Sequence, residues 1–129
     1  MFLMLNKVLI RIKFLFMREK IRDKGRLEHM LEAIDIILER TSGMTIESLT
    51  NDKVLFGGLA YYTMIIGEAS YMLTDEFKNS HPDTPWRQIE GMRHHIVHGY
   101  FQVRVDMLWN VIENDLQPLK DQIAQYLSE

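Results

Sequence analysis

Three long stretches of this chain place an apolar side chain every third or fourth residue, and that spacing commits them to helices packed on one another. The first is Leu27, Met30, Leu31, Ile34, Ile37 and Leu38. The second is Leu55, Leu59, Tyr62, Ile66, Leu73 and Phe77, and the last is Leu108, Ile112, Leu116, Leu119, Ile123 and Tyr126. A period near 3.6 gathers each set on one helical face, and such a face is stable only when buried against another. Turn-forming residues fall between the sets. Thr41-Ser42-Gly43 ends the first helix, with Gly43 suited to a positive φ. Thr45 is placed to cap a short helical turn reaching Asn51. Asn79 to Pro85 is a loop by composition, and Thr84 is placed to cap a third helix that starts at Pro85 and runs to His98. Asp106 should cap the last helix, which Pro118 should bend or split because it lacks a backbone donor. No β-branched run bounded by hairpin turns follows residue 17. The expectation is an all-α bundle of four main helices with short loops.

A chain of 129 residues fits one such bundle. The absence of cysteine removes disulfides, thiol nucleophiles and cysteine-based metal sites, and fits a reducing, cytoplasmic setting. The net charge of −3 gives no global field to gather nucleic acid, so any such contact is local. That charge is unevenly spread. Residues 1–26 carry eight Lys or Arg against two acids, and the remainder carries seven against sixteen.

The first sixteen residues, MFLMLNKVLIRIKFLF, are apolar but interrupted by Lys7, Arg11 and Lys13. They are fewer than the ~20 apolar residues that a membrane-spanning helix needs. They also lack the order of a signal peptide, since the basic residues follow the first apolar stretch. Ile10, Ile12, Phe14 and Phe16 alternate as in a strand. Three readings stand open: an extension upstream of a natural start at Met17, a structured arm, or a membrane-surface segment. The domain division expected is 1–16 as an extension and 17–129 as one helical domain.

The stretch from Trp86 to Tyr100, WRQIEGMRHHIVHGY, carries Arg93, four intervening residues, His98 and then Tyr100. Gly67-Glu68-Ala69 lies on the preceding long helix, His81-Pro82 lies before Trp86, and Asp106, Trp109, Asp115, Leu116 and Leu119 follow. With this ordered set, over about residues 17–127, the chain resembles the HEPN superfamily and, within it, the HepT-like ribonuclease toxins. The residue after Arg93 is His94, where those toxins most often have Asn; the superfamily admits a small polar residue or His there.

The residue types suit the chemistry. RNA is cut without a metal when its own 2′-hydroxyl attacks the neighbouring phosphate, which needs a proton acceptor, a proton donor and positive charge near phosphorus. Imidazole serves as acid or base near neutrality. Guanidinium offers fixed charge in a fork that matches two phosphate oxygens. Positions five apart on a regular helix diverge by roughly 140°, so Arg93 and His98 share a target only if the chain turns. Gly99 suggests such a turn, and a helix C-terminus favours a cation at His98. Glu90, His94 and His98 also share one face at metal-ligand spacing, with no second cluster to complete a shell; no metal and no cofactor are expected.

The resemblance implies more than the residues do. It implies a homodimer that brings two motif helices together, with Arg93 and His98 catalytic in metal-independent cleavage of RNA. It implies a toxin of a toxin–antitoxin pair whose partner, a minimal nucleotidyltransferase antitoxin, silences it by transferring AMP from ATP to Tyr100. Neither DNA nor a membrane is expected as a partner. Glu68 stands on a largely apolar face, where a carboxylate needs a partner. It has two readings, a support that orients Arg93 or a structural salt bridge between helices. Gly67 beside it should allow close helix approach, and Trp86 and Trp109 should anchor the core or a dimer. His98 could equally cap a helix, and Tyr100 could simply pack. The competing class is a non-catalytic helical binding module that partners a minimal nucleotidyltransferase.

Overall fold

In the computed structural model, which describes residues 2–99 and 103–129, the apolar periodicity becomes a bundle with no strand among the described residues. Helix α1 spans Phe2–Thr41, α2 Ile46–Asn51, α3 Lys53–Tyr71, α4 Asp75–Ser80 and α5 Trp86–His98. Helix α6 spans Val105–Asn110, a wider π-helical turn covers Val111–Asp115, and α7 spans Leu116–Leu127. The four main helices of the sequence pattern are thus α1, α3, α5 and the run from α6 through α7. The all-α, HEPN-like bundle is confirmed. Helix α3 packs most extensively on α5 and on α1, and α7 closes on α1. Met30, Ile34 and Ile37 of α1, Leu49 of α2, Ile66 of α3, and Leu116 and Ile123 of α7 are fully buried where these faces meet.

Several boundaries differ from the sequence reading, each for a local reason. The second apolar pattern is one period but two helices. After α3 the chain turns at Met72–Thr74, and α4 restarts with Thr74 accepting from Phe77 N at 3.2 Å. Asp23 of α1 fixes this turn by accepting from Thr74 N at 2.9 Å and from Thr74 Oγ1 at 2.7 Å. Helix α5 starts at Trp86 with Pro85 in the capping position. Thr84 does not cap it, because its hydroxyl instead meets Tyr126 Oη at 2.6 Å and Gln122 Oε1 at 2.9 Å. Thr45 precedes α2 without a side-chain cap, whereas Asp52 caps α3 by accepting from Leu55 N at 3.0 Å. Helix α6 opens at Val105, so Asp106 lies inside its first turn, paired with Arg104.

The last helical run is interrupted just ahead of Pro118, as expected of a proline, by the wider turn rather than by a loop. Pro118 is the third residue of α7, and the widened turn at Val111–Asp115 precedes it, where the Asn114 carbonyl would otherwise face the proline ring. Gly43 does take the left-handed conformation, with φ +73°. The strand-like alternation of Ile10 to Phe16 is overruled, since these residues are helical and continuous with the rest of α1. Helix-forming Leu, Met, Lys and Arg run from the start to Lys24 without a Gly or Pro to stop them. From Phe2 to Arg18 the side chains of α1 are exposed, and its buried face begins only at Asp23 and Leu27.

Candidate functional site

The seam between α3 and α5 exists because Gly67 has no side chain. A Cβ there would lie 2.6 Å from Arg93 Cβ, 2.9 Å from Arg93 N and 2.9 Å from Ile89 O. The close approach expected of Gly67 therefore falls at the backbone of Arg93 itself. Glu68, the next residue, reaches across so that its Oε2 sits 2.5 Å from Arg93 Nε. The N–H does not point along that line, so Oε2 gains a charge contact without a well-aligned hydrogen bond. Both side chains are about two-fifths exposed, which leaves this pair a modest stabilising role and an open route to solvent. One turn further along α3, the Tyr71 ring lies 5.9 Å from the guanidinium carbon of Arg93. Among the described residues, the two terminal nitrogens of Arg93 donate no hydrogen bond, and Glu68 is the one carboxylate paired with this guanidinium.

Glu90, the other acid within reach of this face, is taken by Lys78 of α4, with Nζ 2.7 Å from Oε1. Arg93 therefore pairs with Glu68 alone. No group of three or more His, Asp or Glu is placed to hold a metal ion among the described residues.

His98 is the last helical residue of α5, and Gly99 closes the helix by donating to His95 O at 2.8 Å. The role of Gly99 is room. Its φ is −118°, an ordinary value, but a Cβ there would meet His95 O at 2.8 Å. The turn comes after His98, whose own backbone remains helical, so it does not re-aim that side chain. Arg93 faces α3, while the His98 ring lies 4.7 Å from the His94 ring, centroid to centroid, on an exposed side. The structure thus joins Arg93 with Glu68 and His94 with His98, and leaves the two pairs on different sides of one helix. Tyr100 lies outside the described residues.

Sequence reasoning passed over a second polar cluster at the other end of α5. Trp86 Nε1 donates to His81 O at 2.9 Å, and the His81 ring stacks on Phe77 at 4.1 Å and tilts against Tyr126 at 4.4 Å. His81 Nδ1 lies 2.8 Å from Phe77 O and Nε2 lies 2.9 Å from Glu129 Oε2. Trp86, half of the expected anchor pair, is a core residue here, and Trp109 packs partly buried against the same core. The signal for this cluster was present in the His81-Pro82 and Trp86 spacing, but one of its partners, Glu129, is 48 residues away in sequence.

Comparison with known proteins gives the same direction. A family model described as Ribonuclease HepT-like matches residues 30–126. A protein of Thermococcus cleftensis, named as a probable ribonuclease HepT, is 38% identical over 97 residues, covering 75% of this chain and 88% of that protein. A provisionally named RNase of Caldanaerobacter subterraneus subsp. tengcongensis is 34% identical over 103 residues, covering 80% and 92%. Another provisionally named RNase, from Methanocaldococcus jannaschii, is 27% identical over 100 residues, covering 78% and 92%. No solved structure gives a significant match. With three-quarters of its length inside the family model and the helical order in place, the chain belongs to the HepT-like ribonuclease family.

Proposed function

We propose that this protein is a metal-independent endoribonuclease and the toxin of a toxin–antitoxin pair. The observation that carries the reading is the guanidinium of Arg93, held at Nε by Glu68 in the α3–α5 seam with its terminal nitrogens open. In this reading Arg93 grips the scissile phosphate and stabilises the charge that builds on it. His98, exposed at the end of α5, transfers a proton. The 2′-oxygen of the RNA attacks the adjacent phosphorus, the bond to the 5′-oxygen breaks, and the products are a 2′,3′-cyclic phosphate and a 5′-hydroxyl.

Because Arg93 and His98 diverge around a regular α5, the reading requires a homodimer. Two motif helices brought together let the Arg93 of one copy act with the His98 of the other, and they concentrate positive charge on an acidic body. Tyr100 accepts AMP from ATP through a cognate minimal nucleotidyltransferase, and the added charge and bulk would repel an RNA phosphate nearby. The working domain is 17–129. A chain starting at Met17 should keep both melting temperature and cleavage rate, since side chains 2–16 are exposed.

The test is incubation of wild type and His98→Ala with total cellular RNA in excess EDTA, followed by mapping of the fragment ends. Cleavage by wild type alone, leaving 2′,3′-cyclic phosphates, is expected. No cleavage by dimeric, unmodified wild type would overturn the reading in favour of a non-catalytic module that partners the nucleotidyltransferase.

A further inference from the structure

We infer that α1 from Phe2 to Arg22 is an arm that binds an anionic lipid surface, independently of the ribonuclease reading. Helix α1 runs unbroken from Phe2 to Thr41, but its buried face begins only at Asp23. At 1.5 Å per residue, about 30 Å of helix stands clear of the bundle. Its apolar side chains are exposed, and the family model begins only at residue 30. The helical register sorts the sides of this arm. Met30 follows Ile21 by about two and a half turns, so the two point in opposite directions. Ile21 is 69% exposed, whereas Met30 is fully buried. Leu3, Ile10, Phe14 and Met17 share the side of Ile21, so one apolar stripe faces away from the bundle. Lys7, Arg11, Arg18 and Arg22 flank the stripe on one edge, and Lys13, Lys20 and Lys24 on the other. The two acids of this stretch, Glu19 and Asp23, turn toward the bundle, where Asp23 is engaged by Thr74. Among the described residues, the only carboxylate paired with these cations is Glu28, 4.0 Å from Lys24.

Charge selects the occupant. Unpaired cations bordering an apolar stripe match a surface that is anionic outside and apolar beneath. The Lys and Arg heads reach lipid phosphates while the stripe sinks to the acyl boundary. A helix about 10 Å thick that sinks about 5–10 Å is covered over most of its girth, which shelters Phe2 and Met4 on its sides too. Among the described residues no helix is long and apolar enough to cross a membrane, so the arm lies on the surface. Two such arms repel each other. The bundle of a second copy is acidic, but beyond α1 its exposed large apolar side chains are few and scattered. RNA offers phosphates, yet the aliphatic Leu3, Ile10, Met17 and Ile21 give bases no face to stack on. Helix α3 packs on both α1 and α5, so a surface on the outward side of α1 leaves α5 open to RNA. The expectation of no membrane partner came from a resemblance that leaves these first residues unmatched.

The test is flotation of the full chain with vesicles of phosphatidylcholine alone and of phosphatidylcholine mixed with phosphatidylglycerol. The chain should float with the anionic vesicles only, and rising salt should release it. Lys7→Gln, Arg11→Gln and Lys13→Gln combined should weaken binding about 10²-fold, at roughly fivefold for each cation. Ile10→Ser with Phe14→Ser should weaken it by about tenfold or more. A chain starting at Met17 should lose most of the binding and keep its cleavage of RNA. Circular dichroism and melting of the variants should match wild type, since these side chains are exposed. A full chain that stays behind, or equal flotation of the full and Met17-start chains, would overturn the inference. Arm-dependent self-association in sedimentation without flotation would overturn it in favour of a second copy. Arm-dependent retention of RNA on a filter without flotation would overturn it in favour of the nucleic acid.

Discussion

His81 has both ring nitrogens engaged, one with Phe77 O and one with Glu129, and its ring is wedged between Phe77 and Tyr126. His94 and His98, at the opposite end of the α5 region, have a ring neighbour in each other and no polar partner among the described residues. The same side chain is a clamp in one place and an available proton carrier in the other. The difference lies in what surrounds each ring. Helix α4 supplies His81 with the Phe77 carbonyl, and the segment after α7 supplies the Glu129 carboxylate, both at fixed distances. The exposed side of α5 supplies His94 and His98 with solvent. A histidine whose hydrogen bonds are all made holds structure, and one whose hydrogen bonds are unmade can do chemistry.

The strongest way to sharpen this contrast is to remove the charge that α5 carries on its other side, in the seam with α3. Arg93→Ala should lower kcat/KM for RNA by about 10²- to 10³-fold, the usual loss for one transition-state stabiliser. Arg93→Lys should recover part of that, because a point charge keeps attraction to phosphate without the fork. Neither change should lower the melting temperature by more than a surface ion pair would, since Arg93 and Glu68 are both partly exposed. Equal activity in Arg93→Ala would move the phosphate site away from the α3–α5 seam.

Next in size is the seam itself. Gly67→Ala drives a methyl group into Arg93 Cβ, Arg93 N and Ile89 O, none of which is the far end of a flexible side chain. The expected loss is about 1–3 kcal/mol of stability, read by thermal or urea melting, with a fall in activity as Arg93 is pushed outward. Gly57→Ala and Gly58→Ala on the same helix provide the contrast, because a Cβ at either meets nothing within 4 Å. Each should stabilise by about 0.5–1 kcal/mol, the helical preference of Ala over Gly. A neutral Gly67→Ala would mean that α5 can stand off from α3 without cost.

These two tests divide along what the sequence made legible. The apolar periodicity yielded the helices and their buried faces, because burial on one side of a helix repeats at a spacing visible in one dimension. Of the final pattern, Leu108, Ile112, Leu116, Leu119 and Ile123 are all core. Gly67 and Glu68 were legible as a pair, because a glycine and a carboxylate both need a reason to sit on an apolar helix face. What escaped depends on contacts distant in sequence. Asp23 looked like one more charge in a basic segment, yet it fixes the break between α3 and α4 from 51 residues away. Thr84 had the local signature of a helix cap, but a tertiary contact with Tyr126 and Gln122 outcompeted that use. The alternation at Ile10 to Phe16 suggested a strand, which needs a neighbouring strand that the bundle does not provide. The direction of His98 was also misjudged, since helix regularity persists to the last residue before Gly99.

The smallest expected effect lies at the engaged histidine, and its sign follows from its surroundings. Burial acts to lower the His81 pKa, but the hydrogen bonds to Glu129 and to the Phe77 carbonyl, with the Glu129 charge, outweigh it and raise the net value above 6.5. The folded state therefore prefers the protonated ring. That stabilisation is fully present below about pH 6.5 and fades as pH rises through the raised folded value. Glu129 is about half exposed, so solvent screening limits the gain to about 0.5 kcal/mol, or roughly 2 °C in melting temperature. Glu129→Gln should melt with wild type at pH 8 and about that much below it at pH 6. An equal deficit at both values would mean that the contact acts through packing or a neutral hydrogen bond, and the clamp would then not depend on a charged imidazole.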